Sequence, residues 1–374
     1  MMEATNHIEK TSQHNIPEGW REFSLGELGE VKMCKRVMKY QTLASGEIPF
    51  YKIGTFGGTP DAYISRDLFT DFRSRFSYPK KGDILLSAAG TIGRTVVFDG
   101  EDSYFQDSNI VWIDNKEDKV LNSLLYYCYK VMKFHTENGG IVVRLYNENL
   151  RNTHFCAPES LEEQERIAKA LTAVDNMIGA LDEAIAKKRQ IKEGLMQQLL
   201  TGKNGEWVER LGRELFSIGN GRDYKCLKPG RIPVYGTGGL LAFVDEYLHD
   251  GPTVCIGRKG TIDKPQYHEG KIWTVDTLFY TYDFRGVNPK FLYYLFCRVK
   301  WHSLNEATGV PSLTSNNIMN VSFLLPLDKK EQDRIVYILD AAESEIRVLE
   351  NKRDKYAVIK QGMMQELLTG KTRL

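Results

Sequence analysis

Residues 163–203 read EQERIAKALTAVDNMIGALDEAIAKKRQIKEGLMQQLLTGK, and residues 331–371 read EQDRIVYILDAAESEIRVLENKRDKYAVIKQGMMQELLTGK. The two segments align without a gap at an offset of 168 residues, and 19 of the 41 aligned positions are identical. Each segment follows a region of globular length. The chain therefore consists of two half-molecules in tandem, and we expect an architecture with pseudo-twofold symmetry.

Apolar residues recur in each segment at spacings that alternate between three and four, which is the pattern of a coiled-coil helix. The positions of this seam are Ile167, Leu171, Val174, Ile178, Leu181 and Ile185 in the first copy, and Ile335, Leu339, Ala342, Ile346 and Leu349 in the second. A glycine follows the Leu-Leu-Thr ending of each copy, as is common after a helix C-terminus. About 40 helical residues at ~1.5 Å each form a rod of roughly 60 Å. The pattern predicts that the two helices pair with each other, although two separate surface helices, each packed on its own domain, have the same periodicity.

The regions that precede the helices also match, through short anchors separated by divergent loops. The clearest anchors are Trp20 and Trp207, Gly90-Thr91-Ile92 and Gly260-Thr261-Ile262, Leu145 and Leu313, and Pro158 and Pro326. Apolar runs predict strands near 83–87, 95–98 and 253–256, and residues 121–134 and 289–304 are expected to form short helices that pack on them. Each half is therefore α/β or α+β. A shared scaffold with divergent loops indicates two domains of one fold that recognise different targets.

These features divide the chain into five segments. We expect a disordered tail over 1–16, globular domains over 17–160 and 204–328, and helical repeats over 161–203 and 329–374.

The composition, with 42% hydrophobic and 26% charged residues, is that of an ordinary globular protein. The sequence has no apolar run of the ~20 residues that a membrane span needs and no visible signal peptide, so we expect a cytoplasmic protein. The six cysteines show neither paired nor zinc-ligand spacing and are expected to be reduced thiols. The net charge of +1 is low for an independent DNA-binding domain, because such domains are usually basic.

The sequence contains no convincing catalytic constellation. Residues 369–372, TGKT, resemble the end of a phosphate-binding loop, but Gln365 stands where that loop needs its first glycine, and the segment closes a helix instead of opening one. Asn288-Pro289 is interpreted as the start of a helix, with proline in its first turn. We therefore expect no catalytic residue, metal or cofactor in this chain.

Several duplicated motifs point to a known family. The helices open with LEEQERIA at 161–168 and KEQDRI at 330–335, and each is preceded by a Phe-x-x-Pro stretch, at 155–158 and 323–326. The first half also contains GDILLS at 82–87 followed by GTIGR at 90–94. In this order the motifs resemble the specificity (S) subunits of type I restriction-modification systems, and the likeness runs from Pro17 to the end. The second half departs from the pattern, since Asp263 follows Gly260-Thr261-Ile262 and Leu327 stands where the family often has a second proline.

The resemblance implies a DNA-reading adaptor without catalysis of its own. Two target recognition domains would together read an asymmetric bipartite site in double-stranded DNA. The two long helices would pair antiparallel as a coiled coil, set the separation of the domains and dock two modification (methyltransferase) subunits. Those subunits would bind S-adenosylmethionine and methylate adenine, and restriction (motor-nuclease) subunits would join for cleavage, with ATP and Mg²⁺ bound by partners. Half-sites on one DNA face lie about 34–36 Å apart per helical turn, which the helical rod can span. Inserting four residues after Leu199 is accordingly expected to change the unread spacer.

The side chains suited to base edges are Arg, Lys, Asn and Gln, with Thr and Ser as adaptable partners, and phosphates are held mainly by Lys and Arg. On these grounds the candidate DNA-contacting residues are Lys35, Arg36, Lys52, Thr55, Arg94, Arg144 and Tyr146 in the first domain, and Lys225, Tyr235, Thr237, Arg258, Lys259, Thr314 and Asn316 in the second.

A different class of function stays open on the residues alone. The chain could be an assembly scaffold, in which the coiled coil is the function and the flanking domains bind proteins. The near-zero net charge favours this interpretation. The divergent loops and the family resemblance favour DNA recognition instead.

Overall fold

A computed structural model describes residues 16–134, 144–202 and 206–374. The chain divides into two compact units: residues 1–180 together with 353–374 form the first, and residues 181–352 form the second. Both contain mixed helix and strand, as expected. Within the described residues, no helix combines the length and apolarity that crossing a membrane requires, and no three His, Cys, Asp or Glu side chains cluster as metal ligands would.

The first unit contains nine strands, four short helices and a 3₁₀ turn among its described residues. In chain order they are β1 (Trp20–Ser24), α1 (Leu25–Leu28), β2 (Val31–Lys32), the 3₁₀ turn Lys39–Gln41, β3 (Ile48–Tyr51), β4 (Tyr63–Ile64), α2 (Arg66–Arg75), β5 (Ile84–Ser87), β6 (Thr95–Val97), β7 (Tyr104–Phe105), β8 (Ile110–Ile113), α3 (Asn122–Val131), α4 (Asn147–Arg151) and β9 (His154–Pro158). The long helix α5 (Leu161–Leu199) begins in this unit.

The second unit repeats this plan. Its elements are β10 (Trp207–Leu211), α6 (Gly212–Leu215), β11 (Ser217–Asn220), β12 (Pro229–Gly236), β13 (Gly239–Val244), β14 (His249–Asp250), β15 (Thr253–Gly257), β16 (Gln266–His268), β17 (Lys271–Thr274), β18 (Leu278–Tyr282), α7 (Pro289–Phe296), the 3₁₀ turn Trp301–Leu304, α8 (Ser315–Met319) and β19 (Ser322–Pro326). The long helix α9 (Lys329–Leu367) begins here.

The sheets of the two units correspond, except that the second unit adds β14 to the sheet that contains β12, β13 and β17. An antiparallel sheet has the order β2-β8-β5-β6 in the first unit and β11-β18-β15-β16 in the second. A parallel pair, β3 with β7 or β12 with β17, recurs beside it, and a two-stranded ribbon, β1 with β9 or β10 with β19, leads to the long helix. Strands β5, β8 and β15 are buried along their whole length, which explains why they read as continuous apolar runs.

Within each unit, the start of one long helix packs beside the end of the other. In the first unit, Ile167 and Leu171 of α5 share a core with Leu367 and with the Leu368 that follows α9. In the second, Ile335 and Leu339 of α9 share a core with Met196 of α5 and the Leu200 that follows it. Ion pairs such as Lys192–Glu343, at 3.2 Å, join the two helices as well. The predicted antiparallel pairing is therefore confirmed, and all eleven seam positions are buried or half-buried.

The repeated glycines after the long helices are required by close packing. Gly370 and Gly202 have φ of +69° and +72°, in the left-handed region that favours glycine. A methyl group at Gly370 would lie 2.6 Å from Pro17 Cγ, and one at Gly202 would lie 2.9 Å from Leu324 Cδ2. Each glycine thus allows the helix end to close onto the ribbon of its own unit.

The predicted lengths of two short helices were wrong. The helices expected over 121–134 and 289–304 end at Val131 and Phe296, and the second is followed only by a 3₁₀ turn at Trp301–Leu304. The start of α7 agrees with expectation, because the Asn288 side chain caps it by accepting hydrogen bonds from the Lys290 and Phe291 amides.

Candidate nucleic-acid interface

The same backbone bridge joins two loops in each unit. In the first, the Leu145 amide donates to the Ala88 carbonyl at 2.8 Å, and Ala89 pairs with Arg144. In the second, the Leu313 amide donates to the Arg258 carbonyl at 2.9 Å, and Lys259 pairs with Ser312. We call this pair of loops the bridge platform: residues 88–94 with 144–146 in the first unit, and 258–262 with 312–314 in the second.

Three of the seven candidate residues of the first unit, Arg94, Arg144 and Tyr146, lie on its bridge platform, and Thr55 lies in a turn that contacts it. Arg144 and Tyr146 are exposed there, directly beside the bridge. The Arg94 guanidinium donates to the Phe56 carbonyl at 2.9 Å, which ties the platform to the glycine-rich turn after β3. Thr55 lies in that turn, where its hydroxyl accepts from the Lys52 amide at 3.1 Å. Thr55 is thus partly occupied in shaping the turn.

The remaining candidates of the first unit lie off the platform. The Lys35 ammonium lies 5.0 Å from the Phe76 ring centroid at the end of α2, and Arg36 pairs with Asp107 at 2.8 Å. Neither Lys35 nor Arg36 belongs to the platform loops.

In the second unit, Arg258, Lys259 and Thr314 belong to the bridge platform itself. All three side chains are exposed. The Thr314 hydroxyl caps α8 by accepting from the Asn317 amide at 3.1 Å, and the neighbouring Asn316 accepts from the Asn320 amide nitrogen at 3.2 Å. The platform and the start of α8 that follows it therefore present two cations and two short polar side chains.

Tyr235 and Thr237 lie at the tip of the hairpin formed by β12 and β13. Tyr235 stacks on His268 with ring centroids 3.7 Å apart, and Gln266 Nε2 donates to the carbonyls of Gly236 at 2.9 Å and Thr237 at 3.3 Å. Burial lowers the pKa of His268 to about 4, so the imidazole is neutral near pH 7. His268 Nε2 lies 3.1 Å from Gln266 Oε1, and as a donor it would orient this amide towards the tip.

The two units differ only in part in how their candidate cations are compensated. In the first, Arg36 and Lys52 pair with Asp107 and Asp61, whereas Lys35, Arg94 and Arg144 form no ion pair with a described residue. In the second, the candidates Lys225, Arg258 and Lys259 form no ion pair with any residue that the structure describes. Uncompensated positive charge is therefore available in the second unit despite the net charge of +1.

The basic side chains on and just after α2 are largely neutralised. Arg73 pairs with Asp102 at 3.0 Å, Arg75 pairs with Asp71 at 3.1 Å, and a longer contact of 3.6 Å joins Lys80 to Asp114. These partners come from other loops or from another turn of the helix.

Sequence reasoning missed Gln266 and His268, which support the hairpin tip, and the exposed pair Leu240 and Leu241 beside it. The available signal was the Gly238-Gly239 turn between two apolar runs, which is typical of a hairpin.

Comparison with known proteins places these features in a family context. The model of the type I restriction modification DNA specificity domain matches residues 17–193 and 204–357. A putative type I restriction enzyme specificity subunit of Haemophilus influenzae is 55% identical over 171 residues, which are 46% of this chain and 44% of that protein. The putative MjaX specificity subunit of Methanocaldococcus jannaschii is 22% identical, with 98% of this chain and 97% of that protein covered.

Two solved structures share the fold. The S subunit of a type I restriction-modification system from M. genitalium matches with a TM-score of 0.67 and 16% identity, over 96% of this chain and 98% of that one. A chain from a type I restriction-modification system, described for its complex assembly and conformational transition, matches with a TM-score of 0.54 and 14% identity, over 95% and 99%.

Proposed function

This chain belongs to the type I restriction modification DNA specificity family, and we propose that it is the sequence-reading subunit of such a complex. Its two units would each bind one half of a bipartite, asymmetric site in double-stranded DNA.

The observation that carries the asymmetry is the bridge platform. Arg144 and Ser312 occupy the same position beside the bridge, and Tyr146 and Thr314 both precede the short helix that follows. An arginine can donate two hydrogen bonds to a guanine edge, whereas a serine or threonine makes a single adaptable contact. One scaffold therefore presents different chemistry in the two units, as the reading of two unlike half-sites requires.

The uncompensated cations supply the second requirement, which is attraction to phosphates. Lys225, Arg258 and Lys259 are exposed and unpaired among the described residues. Such side chains release counterions when they contact a duplex, and they make the affinity fall with salt.

The partners follow from the family. We propose that the paired long helices dock two modification subunits, which bind S-adenosylmethionine and methylate adenine, and that restriction subunits with ATP and Mg²⁺ join for cleavage. The chain itself is proposed to be non-catalytic, a view supported by the lack of catalytic motifs in its sequence.

The test is co-expression of the chain with its modification subunit, followed by single-molecule sequencing of N6-methyladenine in the host DNA. The expected result is a split, asymmetric motif that appears only when the chain is present. Arg144→Ala should alter one half of this motif and Thr314→Ala the other, whereas Arg75→Ala, on the helix α2, serves as a control. Methylation that does not depend on the chain would favour the assembly scaffold. So would a folded complex that contains the chain and produces no methylation.

A further inference from the structure

The hairpin formed by β12 and β13 exposes apolar side chains at its tip. Leu240 is 53% exposed and Leu241 is 54% exposed, although both follow a tight turn in a well-paired hairpin. Contiguous apolar patches on a protein surface often mark interaction sites.

The backbone of the hairpin aims these leucines outward. Gly236 pairs with Gly239 across the turn, Tyr235 pairs with Leu240, and Val234 pairs with Ala242, so Leu241 is the extra residue of a β-bulge. Bulges often re-aim a side chain next to a functional site. A methyl group on Gly236 would lie 2.8 Å from Leu241 Cδ1, so the absence of a side chain at Gly236 lets Leu241 lie across the turn.

Side chains of β16 hold the tip of the hairpin in place. Gln266 binds the carbonyls of Gly236 and Thr237, and Tyr235 stacks on His268. The leucines therefore extend from a supported turn, which limits the conformational entropy lost on binding.

A basic strip runs alongside the hairpin. Residues 221–231 contain Arg222, Lys225, Lys228 and Arg231 against the single carboxylate of Asp223, and none of these four cations forms an ion pair with a described residue. The strip is attached at both ends of the hairpin. The Asp245 amide donates to the Lys228 carbonyl at 3.0 Å, and the Arg222 amide donates to the carbonyl of Thr274, the strand neighbour of Tyr235, at 2.8 Å.

An apolar tip beside unpaired cations fits a polyanion that also carries apolar groups. Duplex DNA has both: phosphates along the backbone, and the 5-methyl group of thymine in the major groove, which apolar side chains read by direct contact. A two-stranded β-ribbon is narrow enough to enter that groove.

We propose that Leu240 and Leu241 are specificity-determining residues that contact thymine 5-methyl groups in the half-site read by the second unit. This inference rests on the proposed function and adds to it the recognition of thymine by the second unit. The corresponding turn of the first unit lacks such a tip, because Phe56 is only 1% exposed there. The first half-site therefore acts as an internal control.

The experiment uses the full chain in complex with its modification subunit, and a synthetic duplex that carries the methylated motif. Each thymine of the second half-site is replaced in turn by uracil, which removes only the methyl group. At one or more positions we expect the wild-type complex to bind about fourfold more weakly, the effect of losing roughly one buried methyl group. The double variant Leu240→Ser/Leu241→Ser should bind the thymine and uracil duplexes equally.

Leu327→Ser is the matched control, since Leu327 is 54% exposed in the same unit but lies between β19 and α9. It should retain the preference for thymine. The proposal would be overturned if uracil substitution weakened binding equally in the wild type and in the double variant. It would also be overturned if the second half-site contained no thymine on either strand.

Two further outcomes separate this inference from the function on which it rests. If the double variant no longer assembles with the modification subunit, the leucines form a protein contact and the inference is wrong, while the subunit role stands. If wild type yields no chain-dependent split motif, the proposed function itself fails.

Discussion

Gln164 and Gln332 make the same three hydrogen bonds at equivalent positions of the two units. Gln164 accepts from the Leu121 amide at 2.9 Å and donates to the carbonyls of Lys119 at 2.9 Å and Pro158 at 2.8 Å. Gln332 accepts from the Asn288 amide at 2.7 Å and donates to the carbonyls of Gly286 at 3.1 Å and Pro326 at 3.0 Å. Both side chains are fully buried. Each amide thus fastens a long helix to the start of a shorter helix and to the end of the ribbon.

Replacing Gln164 by methionine should preserve the volume but break three hydrogen bonds to the backbone, one of them buried and two partly buried. We expect the free energy of unfolding to fall by about 2–4 kcal/mol, because each unsatisfied group costs roughly 1–3 kcal/mol before relaxation. Urea unfolding measures the loss, and hydrogen exchange should locate it around Leu121 and Pro158. Gln332→Met should have the same effect in the second unit.

Gln197→Met is the matched control, since among the described residues its exposed side chain bonds only Glu193, at 3.3 Å. Equal stability of Gln164→Met and Gln197→Met would show that the buried bonds contribute nothing.

The repeated helices carry a second duplicated cluster. Lys360 pairs with Asp175, which also accepts from the Tyr127 hydroxyl at 2.9 Å. In the second unit, Lys192 pairs with Glu343, which accepts from the Tyr294 hydroxyl at 3.1 Å. Burial raises the pKa of both tyrosines, so their hydroxyl groups stay protonated and continue to donate.

A double-mutant cycle with Lys360→Met and Asp175→Asn should therefore show coupling between the two helices. We expect about 1 kcal/mol, at the upper end for ion pairs, because these side chains are only partly exposed. The exposed pair Lys169–Glu165, within α5, should couple by less than about 0.5 kcal/mol. A coupling energy of zero between Lys360 and Asp175 would show that this ion pair does not stabilise the contact between the two helices.

The ion pair between Arg373 and Glu163 should make the stability of the first unit dependent on pH. The Arg373 guanidinium donates to Glu163 Oε2 at 2.6 Å, and this bond, more than any other influence, holds the pKa of Glu163 below its ordinary value of 4.5. A carboxyl whose pKa is lowered on folding contributes stability above its unfolded pKa and loses it as the pH falls through the folded value.

We expect Arg373→Met to lower the Tm by a few degrees near neutral pH and to converge with wild type well below pH 4.5. Differential scanning calorimetry across that range measures the effect. Lys371→Met, in the same exposed tail, is the control and should follow wild type at every pH. A Tm difference that persists unchanged in acid would mean that Arg373 acts through packing instead of charge.

Features of the sequence that depend on local pattern anticipated the fold well. The seam of Ile167 and Leu171 follows from helical periodicity, and β5 follows from a continuous apolar run. The helix α2 was missed although Ser65 caps it by accepting from the Leu68 amide, because its mean hydropathy is low and only Phe69 is fully buried.

The candidate interface was harder to anticipate, because it depends on contacts between distant residues. No local pattern shows that Arg73 meets Asp102, or that Gln266 supports the turn at Thr237. Tertiary packing determines which cations remain unpaired and which loops share a platform. The DNA-contacting residues named from the sequence therefore stay predictions.

Salt dependence offers a direct test of the free cations. If Lys259 contacts a phosphate, Lys259→Ala should reduce the slope of log Kd against log salt concentration by about 1 and weaken all sequences alike. Lys52 pairs with Asp61 at 2.9 Å, so Lys52→Ala should change the slope less. The slope is obtained by titrating the complex against specific and unrelated duplexes at several salt concentrations. If Lys259→Ala leaves the slope of log Kd against log salt concentration unchanged, Lys259 does not contact a phosphate.

The two long helices should set the length of the unread spacer. Leu200 is buried in the core of the second unit, so an insertion directly after Leu199 would disturb packing as well as length. A cleaner position is after Gly179 in α5, matched by one after Lys355 in α9, because both lie between the residues that enter the two cores.

Four added residues in each helix lengthen the rod by about 6 Å. Since base pairs lie ~3.4 Å apart along the axis, the spacer in the methylated motif should grow by one or two base pairs, with both half-sites intact. Insertion into α5 alone is the control: it places the seam of one helix out of register and should reduce stability instead of shifting the motif. A doubly extended, folded chain that still methylates the original spacer would show that the helices do not measure the distance.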